Sequence, residues 1–266
     1  DLHRLIRRQR QMCIRDSIIA RGATWSVGTV LLAWLTGDPE LVGVFYIASM
    51  ISLVLIGAIL SSLSMMALPL LSSQPHRDEG RGLEGLRVAL GVVVPLACFS
   101  ACGGRFLLEV IGEQYSSGWF MLFLLSIAAI FTGFAMYVIS ELNAHHKLRE
   151  VLVIGIVQLI SLIGLSLILV PIYNGFGASL AVLLSSAASF IASLLFIGFR
   201  SWIGKYLLAL TLGLIAGLPF HLGSLISGVI AGLVALALML VLKVVSLGEL
   251  RFIVKHVLRE LKMTKL

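Results

Sequence analysis

Leu169-Val170-Pro171-Ile172-Tyr173-Asn174-Gly175-Phe176-Gly177-Ala178-Ser179-Leu180-Ala181 separates two apolar runs, residues 151–168 and 182–199. Each run with its flank is about the twenty residues that an α-helix needs to cross a bilayer core. Pro171 cannot continue the incoming helix, because it lacks an N–H and its ring clashes with the preceding turn. Asn174-Gly175 and Gly177 are residues that tolerate a left-handed backbone, which a tight turn demands. Ala178, Ser179 and Ala181 then open the next helix with side chains small enough for two helices to approach closely. The stretch predicts a tight transmembrane hairpin.

The rest of the chain agrees on the class. It is 59% hydrophobic and only 12% charged, with strongly positive mean hydropathy, whereas a soluble domain has about 45–50% apolar and about 25% charged residues. The apolar residues come in long runs, which excludes the alternation of a β-barrel. Segments at residues 18–35, 41–71, 88–111, 119–139, 151–170, 177–199, 202–220 and 226–245 predict an all-α polytopic membrane protein of about eight transmembrane helices. The second segment exceeds one span, so it tilts, breaks near Gly57 or runs on toward Pro69.

Residues 1–17 read differently. Arg7-Arg8-Gln9-Arg10-Gln11-Met12-Cys13-Ile14-Arg15-Asp16-Ser17 back-translates codon for codon to a sequencing-library adapter, and Asp1-Leu2-His3 fits its upstream flow-cell oligonucleotide. The segment is therefore expected to be a non-native scar, with the native chain entering at about Ile18 and its true N-terminus missing. This sets aside a basic arm for nucleic acid or lipid. Without its five arginines and two aspartates, the formal charge falls from +7 to +4. Cys98 and Cys102 remain, too few to argue a redox compartment.

Lysine and arginine in the loops set the orientation. One side receives Arg77, Arg81, Arg87, Lys147, Arg149, Arg200, Lys205 and the tail with Lys243, Arg251, Lys255, Arg259, Lys262 and Lys265; only Arg105 lies near the other. The first side and the C-terminus are therefore expected in the cytoplasm. Residues 18–246 form the helical lobe. Residues 247–266 read as a cytoplasmic amphipathic tail helix, with Leu250, Ile253, Val254, Val257 and Leu261 at three- and four-residue spacing.

Charged and polar residues inside an apolar span prompt functional readings. Arg21, one turn into the first segment and followed by Thr24, Trp25 and Ser26, either grips a diphosphate with its planar fork or snorkels to the cytoplasmic interface. Gln158 either meets a sugar hydroxyl or makes an interhelical hydrogen bond. Arg105 and Glu109, four apart and therefore on one face, form a gate or a structural ion pair. Glu141, Asn143, His145 and His146 read as a solvated loop without metal-ligand spacing. Cys98 and Cys102 read as packing, and Gly213-x-x-x-Gly217 and Gly228-x-x-x-Gly232 as close-approach signals. No nucleotide-binding, metalloprotease or hydrolase motif occurs, so no enzyme, metal or cofactor is expected.

The Val-Pro-aromatic-Gly-x-Gly-Ala hairpin, the Val110-Ile111-Gly112-Glu113-Gln114-Tyr115 turn and the short basic loop Asn143-Ala144-His145-His146-Lys147 resemble the C-terminal part of polysaccharide (O-antigen type) flippases. These belong to the multidrug/oligosaccharidyl-lipid/polysaccharide exporter superfamily. The resemblance implies the last eight of fourteen helices, the second lobe of a MATE-like fold. It also implies outward flipping of undecaprenyl-diphosphate-linked oligosaccharide by alternating access in the bacterial cytoplasmic membrane. The partners implied are that lipid-linked oligosaccharide, membrane lipids and the missing N-terminal helical lobe of the same chain, with no nucleic acid. Other readings are a cation-coupled drug exporter, for which Glu141 is the candidate acid, a lipid II flippase, or a membrane-embedded glycan polymerase or acyltransferase. The last would need a large outer loop, and the outer loops here are short.

Overall fold

The computed structural model describes residues 26–57, 59, 80–144, 147–197, 201–217 and 224–242. Helix α1 (Ser26–Thr36) ends at Gly37, whose φ of +64° starts the turn into α2 (Pro39–Ser52). Asp38 caps α2 by accepting from the Glu40 and Leu41 N–H groups at 3.0 and 3.4 Å, and Pro39 costs the first turn no hydrogen bond. α2 widens into a π-helical stretch at Leu53–Gly57. Then come α3 (Gly80–Cys102), α4 (Gly104–Ile111), a 3₁₀ turn (Glu113–Gly118), α5 (Trp119–Ala144), α6 (Leu148–Ile197), α7 (Ser201–Gly217) and α8 (Leu225–Val241).

The hairpin is present, inside α6. Eight residues of unbroken helix would put Leu169 and Gly177 about 12 Å apart, yet a Cβ on Gly177 would strike the Leu169 carbonyl. The chain folds back at Asn174, with φ 52° and ψ −130°. Contacts with α5 show the direction of the second arm. Phe120 meets Phe176 (5.2 Å between centroids), Thr132 shares a hydrogen bond with Ser186 (2.8 Å) and Phe134 meets Phe190 (4.7 Å), so that arm runs parallel to α5. Pro171 sits in the last turn of the first arm, where it leaves the Leu167 carbonyl without its helical donor, and the break falls three residues later.

About eight transmembrane helices is not what the structure shows. Among the described residues three helices are long and apolar enough to cross a membrane by length and composition, at Pro39–Gly57, Glu113–Asn143 and Leu148–Ile197, the last being the folded-back α6 with its two arms, or up to four if the bent pair Leu90–Cys102 with Gly104–Ile111 is one span. The difference has a physical cause at each place. The 88–111 segment bends by 73° at Gly103, so continuous hydropathy there does not make one straight rod. α8, capped at Ser224 and Leu242, has 17 residues, about 25 Å of rise against about 30 Å of hydrocarbon, and α7 is described for Ser201–Gly217. α1 is described for only part of the 18–35 segment. The tail helix expected at 247–266 lies outside the described residues.

Three connections share one end of the helices. Gly175 abuts Leu41 and Met121, and Gly118 abuts Val44, so the 37–41, 112–121 and 171–177 stretches share one end. At the other, Lys205 Nζ donates to the Leu242 carbonyl (3.4 Å).

The glycine motifs bind α7 and α8 to α3. A Cβ on Gly213 would lie 2.9 Å from the Ala235 methyl and 3.0 Å from Cys98 Sγ; one on Gly217 would lie 2.6 Å from Cys102 Sγ. A Cβ on Gly228 would come within 2.9 Å of the Gly103 Cα. Both cysteines are buried packing residues, as expected. The Ser227 hydroxyl donates to the Cys102 carbonyl at 2.7 Å, satisfying an acceptor at the bend. Ser227→Ala is expected to lower stability by about 0.6 kcal/mol and at most about 1.7, read as a fall in melting temperature in detergent; an unchanged melting temperature would mean that this bond does not hold the bend.

Candidate functional site

Polar groups are held inside the lobe by hydrogen bonds between helices. Ser126 on α5 bonds Ser100 on α3 (2.9 Å) and lies 3.5 Å from Ser52 on α2. Ser185, Ser189 and Ser193 on the second arm of α6 donate to carbonyls three or four residues back in their own helix. These hydroxyls are satisfied, as buried polar groups must be away from water.

Gln158 differs. The first arm of α6 buries a single strip at four-residue spacing, Ile154, Gln158, Leu162, Ser166 and Val170. Ile154 belongs to an apolar core with Phe134 and Phe190, Leu162 to a second with Phe45 and Leu125, and Gln158 lies between them in sequence. It is 8% exposed, and its Nε2 has no hydrogen-bond acceptor among the described residues. An orphan donor at this depth costs about 1–3 kcal/mol, and such exceptions concentrate where a ligand or water completes the set.

Glu141 is buried and not part of a solvated loop. It is 6% exposed near the end of α5, the buried carboxylate among the described residues. The available signal was Val138 and Leu142, whose four-residue spacing carries the apolar face past 139. His145 and His146 lie outside the described residues. Among the described residues no group of three or more His, Cys, Asp or Glu is placed to hold a metal ion.

Arg105 Nε donates to Glu109 Oε1 at 2.8 Å, with side chains 61% and 41% exposed. This pair lies at the end that carries the hairpin turn, whereas Gln158 lies about 24 Å of helical rise from Asn174. The structure therefore does not bring these candidates together. Arg21 and Trp25 lie outside the described residues.

Two concavities lie among the described residues. A cavity of about 20 Å³ between α3, α5, α6 and α7, with Val94, Phe134, Phe190 and Leu210 in its wall, has room for one water. An open groove of about 480 Å³ between α1 and α2 is lined by Thr29, Ala33, Gly37, Asp38, Pro39, Val42, Gly43 and Tyr46. That is the size of a small-molecule site, and it presents a carboxylate, a phenol and a hydroxyl.

These features define a multi-pass helical membrane protein whose lobe keeps polar groups inside an apolar bundle. No family model matches the chain, and no curated protein matches it by sequence. Among solved structures it is similar to "Lipid II flippase MurJ, inward closed conformation", with a TM-score of 0.65 and 17% identity, over 85% of this chain and 52% of that one. At that identity the likeness is one of fold alone. The chain spans about half the length of the flippase it matches.

Proposed function

We propose that this chain is one lobe of a flippase for a lipid-linked saccharide, working by alternating access against a second helical lobe in the bacterial cytoplasmic membrane. The observation that carries the proposal is the fold shared over 85% of the chain with a lipid II flippase. That likeness favours lipid II over the O-antigen unit as the type of cargo. Both are isoprenoid diphosphates carrying sugars, so the residues have the same work: hold an anionic diphosphate and accept a saccharide.

Thr29 and Ala33, four apart and therefore on one helical face, line the α1–α2 groove, and Arg21 and Trp25 precede them in sequence. Arg21 would meet the diphosphate through its fork of N–H donors, while Asp38 and Tyr46 would meet sugar hydroxyls. Arg21→Gln is expected to reduce transport about tenfold to a hundredfold, the loss of one charged hydrogen bond of about 1.5–3 kcal/mol. A proteoliposome flipping assay reads it, and unchanged flipping would remove Arg21 from the site.

The deciding experiment is complementation by the complete open reading frame. Rescue of a strain depleted of its lipid II flippase supports this reading; rescue only of a strain lacking its O-antigen flippase returns the cargo to the O-antigen unit. Rescue of neither overturns the flippase. Buried Glu141 favours one second reading, a cation-coupled exporter, and would then make Glu141→Gln abolish drug resistance without abolishing expression.

A further inference from the structure

We propose that α4 is an interfacial helix that docks on the lipid headgroup layer at the end of the lobe carrying the 37–41 and 171–177 connections. The proposal rests on the bend and on the faces of α4, and is independent of what the protein transports.

The bend is built into the packing. α4 leaves α3 at 73°. With α3 at an average tilt of about 20°, α4 stays about 50° or more from the membrane normal, closer to the membrane plane than to a spanning direction. Gly103 is pressed against Gly228, and Ser227 occupies the Cys102 carbonyl. Straightening the pair would therefore break contacts with α8 as well as turn the backbone.

The faces of α4 divide into strips at four-residue spacing. Gly104 and Leu108 are buried against the lobe, with Gly104 over Trp119 and Leu122. Arg105 and Glu109 form an exposed charged strip joined by their 2.8 Å ion pair. Phe106 is half-buried, and Val110, on the same strip, is 71% exposed. At 100° per residue the charged strip lies about 100° from the buried one, and Phe106 with Val110 about 100° further round. A helix lying along the lobe in the headgroup layer needs this order: protein at its flank, charge toward water and apolar side chains toward the acyl chains. The ion pair uses Arg105 Nε, and the exposed guanidinium still presents N–H groups to lipid phosphates. The commitment to a lipid surface rests on continuity, since only Gly103 separates α4 from the apolar helix that it follows.

The test places a nitroxide label on the full chain in liposomes at Glu109→Cys, Val110→Cys and Phe106→Cys, with Cys13→Ser; Cys98 and Cys102 are buried. Accessibility to oxygen, which concentrates in the acyl region, is compared with that to a water-soluble nickel chelate. Oxygen is expected to exceed the chelate at Val110 and the order to invert at Glu109. Phe106 reports the same strip as Val110 if the Val110 variant does not fold. Chelate in excess at every position would put α4 in water, oxygen in excess at every position would put it in the acyl core, and exclusion of both reagents would mean that protein covers it. Each of these three results overturns the proposal.

Discussion

Gly177→Val is expected to abolish the hairpin. A Cβ at 177 would fall on the Leu169 carbonyl, with the Leu169 carbonyl carbon at 2.6 Å and Val170 N at 3.0 Å. All three atoms are backbone, so no side chain can swing aside, and the arms of α6 would have to part at the turn. The second arm carries Ser186 and Phe190 against α5, so the damage spreads to the largest packing seam of the lobe. The expected loss exceeds about 4 kcal/mol, in the range reserved for a named structural collision. The control is in the same helix: Gly155 and Gly164 have open space where a Cβ would go. Gly164→Ala should leave stability unchanged or raise it by about 0.5–1 kcal/mol through helix propensity. Monodispersity in detergent and melting temperature separate the two variants, and a Gly177→Val protein that elutes and melts like the parent would disprove the fold-back at Asn174.

That hairpin was legible because its determinants are local. Pro171, Asn174, Gly175 and Gly177 lie within seven residues and act through backbone chemistry that does not depend on the rest of the fold. The break settled three residues beyond the proline, at Asn174, a residue type that accepts the positive φ the fold-back requires. The bend at Gly103 was not legible in the same way. Hydropathy is continuous across 88–111, and what holds the bend is the Ser227 hydroxyl and the Gly228 backbone, more than a hundred residues away in sequence. Counting apolar runs therefore overstated the number of spans. The small-residue motifs gave the existence of close approaches and not their partners, since Gly213 and Gly217 meet a cysteine pair and an alanine pair on two different helices. Glu141 shows the opposite case, in which a charge at the edge of an apolar run has the sequence pattern of a loop start and yet stays buried on the helix. Gln158 stood out in sequence as an isolated amide, but only the packing shows that its nitrogen lacks an acceptor.

Gln158→Leu is the substitution on which the two meanings of that amide part. If Gln158 tied two helices together, its loss would lower stability by about 1 kcal/mol, the value of one hydrogen bond within a membrane protein. The buried Nε2 makes no such bond among the described residues, so leucine, similar in size and apolar, removes a desolvation cost of about 1–3 kcal/mol. The expected result is a higher melting temperature. A residue that destabilises its own fold is retained where function uses the cost, as at sites that a passing ligand or ion completes. If the chain flips lipid as proposed, transport is expected to fall about tenfold, which corresponds to about 1.4 kcal/mol of lost stabilisation in the rate-limiting state. Melting in detergent and flipping in proteoliposomes, measured on one preparation, read both signs together. Raised stability with undiminished flipping would leave the amide without a role in transport. Lowered stability would mean that a partner bonds Nε2 in the working protein, and would return Gln158 to the helix-packing role that its position in the buried strip of α6 also allows.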